Sequence, residues 1–486
     1  MRRRLPLLGL WGLLLSTPVF AQGLTDAEED PRQSTEKPKE AEQPTAVLPS
    51  EPVPTPAAPV IPPPPKPKFG DVAVSGYFRG NFGASNHMGR MTCFSLALPG
   101  ELRSKYRLGN ECEVWSETHF TVVTYAGEGG VVASAHFMPT VYIPTTFIGY
   151  TPNGTVNSPL SFTTSTGAVV SFPNLYADIS GIPWLFGGTA WAGTRYYKRE
   201  SVYISDFFYW NPSGVGAGIE DINLGKNLRL SYAAFAVDGR LTPPPEAAAP
   251  PLAPLADFGL RNDLQLRGIK FWESGEFQLG FQLIANYSNN ASTSGGWGAT
   301  FRYVQKVLGG DNKFVVQYGR GAGTGFGTLA RYYYPDFSLY NGPNEIRIRV
   351  VDVLTIQPGN RWFGAQAAVV YQHDDLGNSG QITDWVSAGS RLSVAFTENF
   401  KLLGEAGFDR VTKSNGSPQQ YVGKFTIAPT LSTGKGLLTR PELRLFFTWA
   451  VWNAAARIAT IDSGMLFTNS IYLRAATFGV QAETWW

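Results

Sequence analysis

Between Arg107 and His119 the chain alternates so that one side carries almost all of the chemistry. Every second residue gives Arg107, Gly109, Glu111, Glu113, Trp115, Glu117 and His119, against Leu108, Asn110, Cys112, Val114, Ser116, Thr118 and Phe120. A soluble strand turns an apolar face to a core; here the charged face also holds a tryptophan. Arginine and glutamate exchange hydrogen bonds with hydroxyls, and an indole offers a flat apolar surface. Together they suit the wall of a water-filled barrel that handles a solute both hydroxylated and ring-shaped, as a sugar is. Covalent chemistry has no comparable support. His87, His119, His136 and His373 show no metal-ligand spacing, and no serine or cysteine nucleophile has its partners in a recognisable pattern. Gly319 to Gly327 is glycine-dense, yet it lacks the strand-to-helix context of a phosphate-cradling loop and reads as a flexible loop. No metal, cofactor or enzymatic activity is expected.

The N-terminus supplies an address. Arg2, Arg3 and Arg4 precede an apolar run, Leu5 to Leu15, too short to span a bilayer, and Val19-Phe20-Ala21 fits a cleavage site, so residues 1–21 read as a signal peptide. Further on, no apolar run of about 18 residues occurs, and a membrane role therefore requires a barrel. Charged residues are 16 %, aromatics 13 % and glycines number 53, a composition of short strands and many turns. With a net charge of +2 and no basic stripe, nucleic acid is not an expected partner. Cys93 and Cys112, an even pair in an exported chain, read as one disulfide rather than a metal site or nucleophile.

Residues 22–70 form a proline-rich stretch, with 13 prolines between Gln22 and Lys68 and no apolar periodicity. Such a segment cannot bury a core and reads as a disordered periplasmic linker, either a plain spacer or a cell-wall contact through its lysines. From Asp71 to Trp486 alternating segments are separated by Gly, Asn, Asp and Pro clusters. Val72, Val74, Phe78 and Phe82 oppose Ser75, Tyr77, Arg79 and Asn81, and the pattern returns over Lys313 to Gly319 and Gln381 to Phe396. The length supplies roughly 16 or 18 membrane-crossing strands, and periodicity does not choose between them. Ser85 to Gly100, Gly149 to Gly188 and the Pro/Ala tract Thr242 to Asp257 read as outer loops.

Four blocks carry a resemblance: Ser104-Lys105-Tyr106-Arg107-Leu108-Gly109-Asn110-Glu111-Cys112-Glu113, Trp191 to Tyr197, Asp206 to Trp210 with Gly214 to Gly218, and Thr477 to Trp486. In these the chain resembles the maltoporin family, the trimeric sugar-specific porins of Gram-negative outer membranes. The resemblance runs in order from about Val74 to the terminus. It implies an antiparallel transmembrane β-barrel of about 18 strands that trimerises in outer-membrane lipid, with an inward-folded third loop. It also implies passive oligosaccharide passage along an aromatic slide flanked by a polar track. Matching slide positions are Tyr77, Trp115, Trp385 and Trp485; matching polar-track positions are Arg79, Arg107, Glu113, Glu117, Arg199 and Asp206. The family's first-loop disulfide matches Cys93 and Cys112, and its constriction residue falls at Phe208, where maltoporins carry tyrosine.

Other family acids fall at Asn211 and Ser201, while a second-loop arginine has no match and one slide phenylalanine falls near Ala299. A phenylalanine at the constriction is shared with sucrose-type relatives, so maltodextrin-like and sucrose-like cargo both remain open. Each aromatic has an alternative fate as a membrane-interface girdle residue. Arg107, Glu113 and Arg199 have theirs as wall salt bridges or a pore field without sugar contact. The competing function is a general-diffusion porin for small polar solutes and ions.

Overall fold

A strand crossing a bilayer must have every backbone polar group paired, and only a closed sheet has no open edge. The computed structural model describes residues 67–486 except 87–90, 99–100, 145–160, 164–168, 239–256, 290, 327–338, 340, 378–379 and 463–471. Its main sheet is a closed antiparallel barrel of 18 wall strands. The first, Val72–Ser85, pairs on one edge with Glu113–Ala126 and on the other with the last, Arg474–Trp485. Residues 1–66, and with them the signal peptide and nearly all of the proline-rich stretch, lie outside the described residues.

Side-chain alternation follows the period of two expected of a wall with lipid on one side. In Glu442–Trp452, Leu443, Leu445, Phe447 and Trp449 are exposed, while Glu442, Arg444 and Thr448 are buried. The interior is therefore polar. Arg391 and Lys424 share Glu405 at 2.5 and 2.6 Å, and Lys401 meets Glu442 at 2.5 Å. Burying such ions is costly, and removing one partner of a buried pair costs about 3–5 kcal/mol. At one end of the barrel the hairpins are tight. Lys226-Asn227 and Leu308-Gly309 all have positive φ and sit between the pairs Gly225↔Leu228 and Val307↔Gly310, the two-residue turn whose twist matches the strands. At the other end the connections are long, and several turn inward.

The first of these corrects a sequence expectation. Arg107 to Cys112 is not strand: the wall strand begins at Glu113, and Gly109, at φ 58°, turns the preceding chain back into the lumen. Tyr106 lies against Gly389 and Gly407, where a Cβ at Gly407 would come within 1.9 Å of its ring. The backbone oxygens of Tyr106, Leu108 and Gly109 accept from Lys424, Thr426 and Thr448 of the wall. Cys93 and Cys112 are joined in a disulfide with Cα atoms 5.9 Å apart. The polar residues of Arg107 to Cys112 thus serve docking rather than lipid-spanning alternation. Likewise, Gly149 to Gly188 is not all loop, because Val169–Ser180 within it is a wall strand. Thr242 to Asp257 lies outside the described residues apart from Asp257. Within Gly319 to Gly327, Gly319–Gly321 ends a strand and residues 322–326 are buried, with Phe326 O accepting from Asn211 N.

The third outer loop crosses the lumen as a small hairpin, Glu200–Val202 with Phe207–Trp210, turned through Tyr203–Ser205. Val202, Ile204, Phe207 and Tyr209 are buried, and Phe207 packs edge-on to Trp385 with ring centres 5.2 Å apart. The first loop braces it through Arg107 N to Ile204 O, 3.0 Å.

Candidate functional site

Where the inward loops face the first and last strands, a cavity of about 270 Å³ remains open. The first strand contributes Tyr77 and Arg79, its neighbour Trp115 and Glu117, and the last strand Trp485. Arg107 comes from the first loop; Arg199, Ser201, Tyr203, Asp206 and Phe208 come from the third. The structure brings together Tyr77, Trp115, Trp485, Arg79, Arg107, Glu117, Arg199, Asp206 and Phe208, all singled out in the sequence. Glu113 stands just behind, buried against Arg79. Trp385 is elsewhere: it is buried behind the third loop, with Nε1 donating to Asp409 at 3.0 Å.

Across the barrel seam the rings of Tyr77 and Trp485 stack at 6.5 Å, and Tyr203 stands edge-on to Trp485 at 6.3 Å. Trp485 lines this cavity and is 37 % exposed overall, but Trp115 is only 4 % exposed and donates Nε1 to Glu117 at 2.8 Å. Phe208 lies under the Arg199 guanidinium at 4.8 Å, with Tyr196 on that group's other contact at 3.5 Å.

The charges around the rings are knitted together. Glu111, fully buried, lies 2.6 Å from both Arg79 and Arg107. Arg79 also meets Glu113 and Asp206 at 3.0 Å, and Arg107 reaches Glu483 at 3.1 Å. Glu483 accepts from Tyr77 and Tyr203 hydroxyls and pairs with Arg440 and Arg444. Burial alone would raise the loop carboxyls, but the guanidiniums outweigh it: Arg107 and Arg79 hold Glu111 below the usual range, and Arg79 with Arg107 holds Asp206 down at about 2. Burial pushes Lys105 down to about 7, against the pull of Glu111.

Tyr203, Glu483, Lys105 and Arg440 were given no site role by sequence reasoning. Tyr203 sits in an irregular loop, where no period marks it. Glu483 shares the inward parity of Trp485, which was its available signal. Toward the tight-turn end the lumen widens into a vestibule of about 880 Å³, reached past Arg199, Ser201 and Tyr203. Among the described residues no group of three or more metal-ligating side chains occurs.

A closed polar-lined barrel, narrowed by its own inward loops to a charged aromatic passage, is a porin. Residues 72–486 match the LamB porin family, and the chain belongs to it, a porin of the outer membrane. The solved structures to which the chain is similar are distant. OmpT of Vibrio cholerae in its trimer form is 8 % identical, covers 86 % of this chain and 100 % of its own, with a TM-score of 0.38. OccAB2 of Acinetobacter baumannii is 9 % identical (86 % and 98 % covered, TM-score 0.41), and OpdK of Pseudomonas aeruginosa with vanillate 11 % (86 % and 99 %, 0.41).

Proposed function

We propose that this porin passes oligosaccharides by facilitated diffusion, without energy input or covalent chemistry. The observation that carries the reading is the exposed Trp485 ring set between Tyr77 and Tyr203, with Glu117 and Arg199 at the same cavity. A pyranose has an apolar face that stacks on such rings and equatorial hydroxyls that need donors and acceptors at the edge. Each stacking contact contributes on the order of 1 kcal/mol. A series of weak contacts lets a chain advance without a deep well, as conduction requires.

The slide in this reading consists of Tyr77, Trp115 and Trp485, joined by Tyr203; Trp385 acts from behind, by fixing Phe207 of the third loop. Arg79, Arg107, Glu113 and Asp206 hold the loops at the wall, leaving Glu117 and Arg199 as the groups that face a passing hydroxyl. Barrels of this kind turn their short connections to the periplasm, and Val72 starts at that end, so the proline-rich arm is assigned to the periplasmic side, after cleavage beyond Ala21. The functional unit in this reading is a homotrimer. In planar bilayers, current should be blocked progressively better by maltose, maltotriose and longer maltodextrins, and also by sucrose. Ohmic conductance with no block by any saccharide would instead assign general diffusion.

A further inference from the structure

The constriction and the vestibule beyond it differ in how their charges are matched. Four cations line the way from the narrow cavity to the tight-turn end: Arg199, Lys306, Lys313 and Arg361. Among the described residues none of the four has a carboxylate at ion-pair distance. Only two acids share that lining. Glu200 is taken by Arg302 at 3.0 Å, which leaves Asp311 as the single unmatched one. Outside that lining, Glu220 is taken by Arg195 and Asp221 by Lys198, both at 2.8 Å, while Asp178 has the His136 ring at 3.0 Å. At the mouth of this field Arg199 is held between Tyr196 and Phe208, so its charge is fixed in place rather than swung on a free stem.

Resting on the saccharide-channel reading, we propose that the cargo is anionic: oligosaccharides whose rings carry carboxylate or sulfate groups. The rings would stack at Trp485 while each acidic substituent passes from Arg199 to the vestibule cations. Unmatched cations on low-dielectric walls concentrate anions, and rings of Arg or Lys are how pores select them. Neutral maltodextrins gain nothing from such a field. A lumen built only for them would have no use for four unpaired cations in sequence.

The test uses the full-length porin in planar bilayers of zwitterionic lipid at neutral pH. Trigalacturonate and sulfated maltotriose are compared with unmodified maltotriose, together with the reversal potential in a KCl gradient. Expected results are chloride preference over potassium and half-block by an acidic trimer at a concentration lower on the order of 10-fold than by maltotriose. Raising the salt should erode that advantage. The triple variant Lys306→Gln, Lys313→Gln, Arg361→Gln should lose the advantage while retaining block by maltotriose. The matching arginine variant at the two lysines should keep it. Trigalacturonate acting alone would make the cargo a uronide, and sulfated maltotriose acting alone a sulfated sugar. Equal block by acidic and neutral trimers, or potassium preference, overturns the anionic reading and leaves the saccharide channel standing. Absence of block by all three overturns both.

Discussion

The two charged regions of this lumen use the same residue types to opposite ends. At the constriction, Arg79 and Arg107 lie 2.6 Å from one buried glutamate and make further ion pairs besides. In the vestibule, Lys306, Lys313 and Arg361 make no ion pair among the described residues, although Asp311 lies across the ladder from Lys306. A matched buried pair has little outward field and resists the removal of either partner. An unmatched cation on a wet wall contributes little to stability and keeps its field. Lining charge is therefore no measure of selectivity until its partners are counted.

The strongest way to break this contrast is Glu111→Gln. It would leave two buried guanidiniums facing each other without their shared carboxylate, at a cost of about 3–5 kcal/mol. The expected outcome is release of the first and third loops, read as new protease cleavage near residues 105–112 or 199–210 in folded porin. Unchanged cleavage would mean the network is decorative. The corresponding loss of charge at Lys306 should leave the cleavage pattern alone.

Acid should separate the regions next. Asp206 has its pKa held at about 2, below the ordinary 3.8, so its contribution is complete above about pH 4 and is lost as pH falls through about 2. That is on the order of 2 kcal/mol of loop docking. Channel noise and weakened saccharide block should grow between pH 4 and 2. A reversal potential that tracked the noise would contradict the division.

Smaller effects sharpen the aromatic part. Trp485→Ala should raise the half-blocking saccharide concentration roughly fivefold, about 1 kcal/mol. Trp115→Ala should do less, since only 4 % of it is exposed. An equal or larger effect at Trp115 would place the path on the wrong side of the cavity. Least of all should follow reduction of the Cys93–Cys112 disulfide. Tyr106 remains seated over Gly407, and Phe94 remains stacked on Trp452 at 5.7 Å. Single-channel amplitude and saccharide block should be unchanged; a lasting change in either would make the disulfide, not the docking, the loop's restraint.

How much of this was legible beforehand follows from what makes a side chain point inward. On wall strands the cause is the pleat, which sequence displays directly, so Tyr77, Arg79, Trp115, Glu117 and Trp485 could be assigned a face from parity alone. Periodicity left 16 or 18 strands open because long connections blur the count, and the family resemblance supplied the larger number. In the inward loops the cause is docking onto a wall hundreds of residues away. Arg107 to Cys112 mimicked a strand because residues that satisfy a polar wall and those that line a lumen have the same composition. Trp385 shows the converse: its inward parity was readable and the resemblance implied an inward-folded third loop, but not that Phe207 of that loop would pack over it. Tyr203 had no period to reveal it.

The seam of the barrel runs through the passage itself. Tyr77 belongs to the first strand, and the Glu483 carboxylate that receives its hydroxyl is 406 residues away, on the last; Trp485 faces Tyr77 across the same ladder. Contacts of such separation carry a high closure cost and form late unless something holds the ends together. A chain halted one strand short would be a gutter with its lysines in place and no Trp485 to stack on. Biogenesis and competence then coincide, and a leaky half-built intermediate would be unable to discriminate between the solutes it let through.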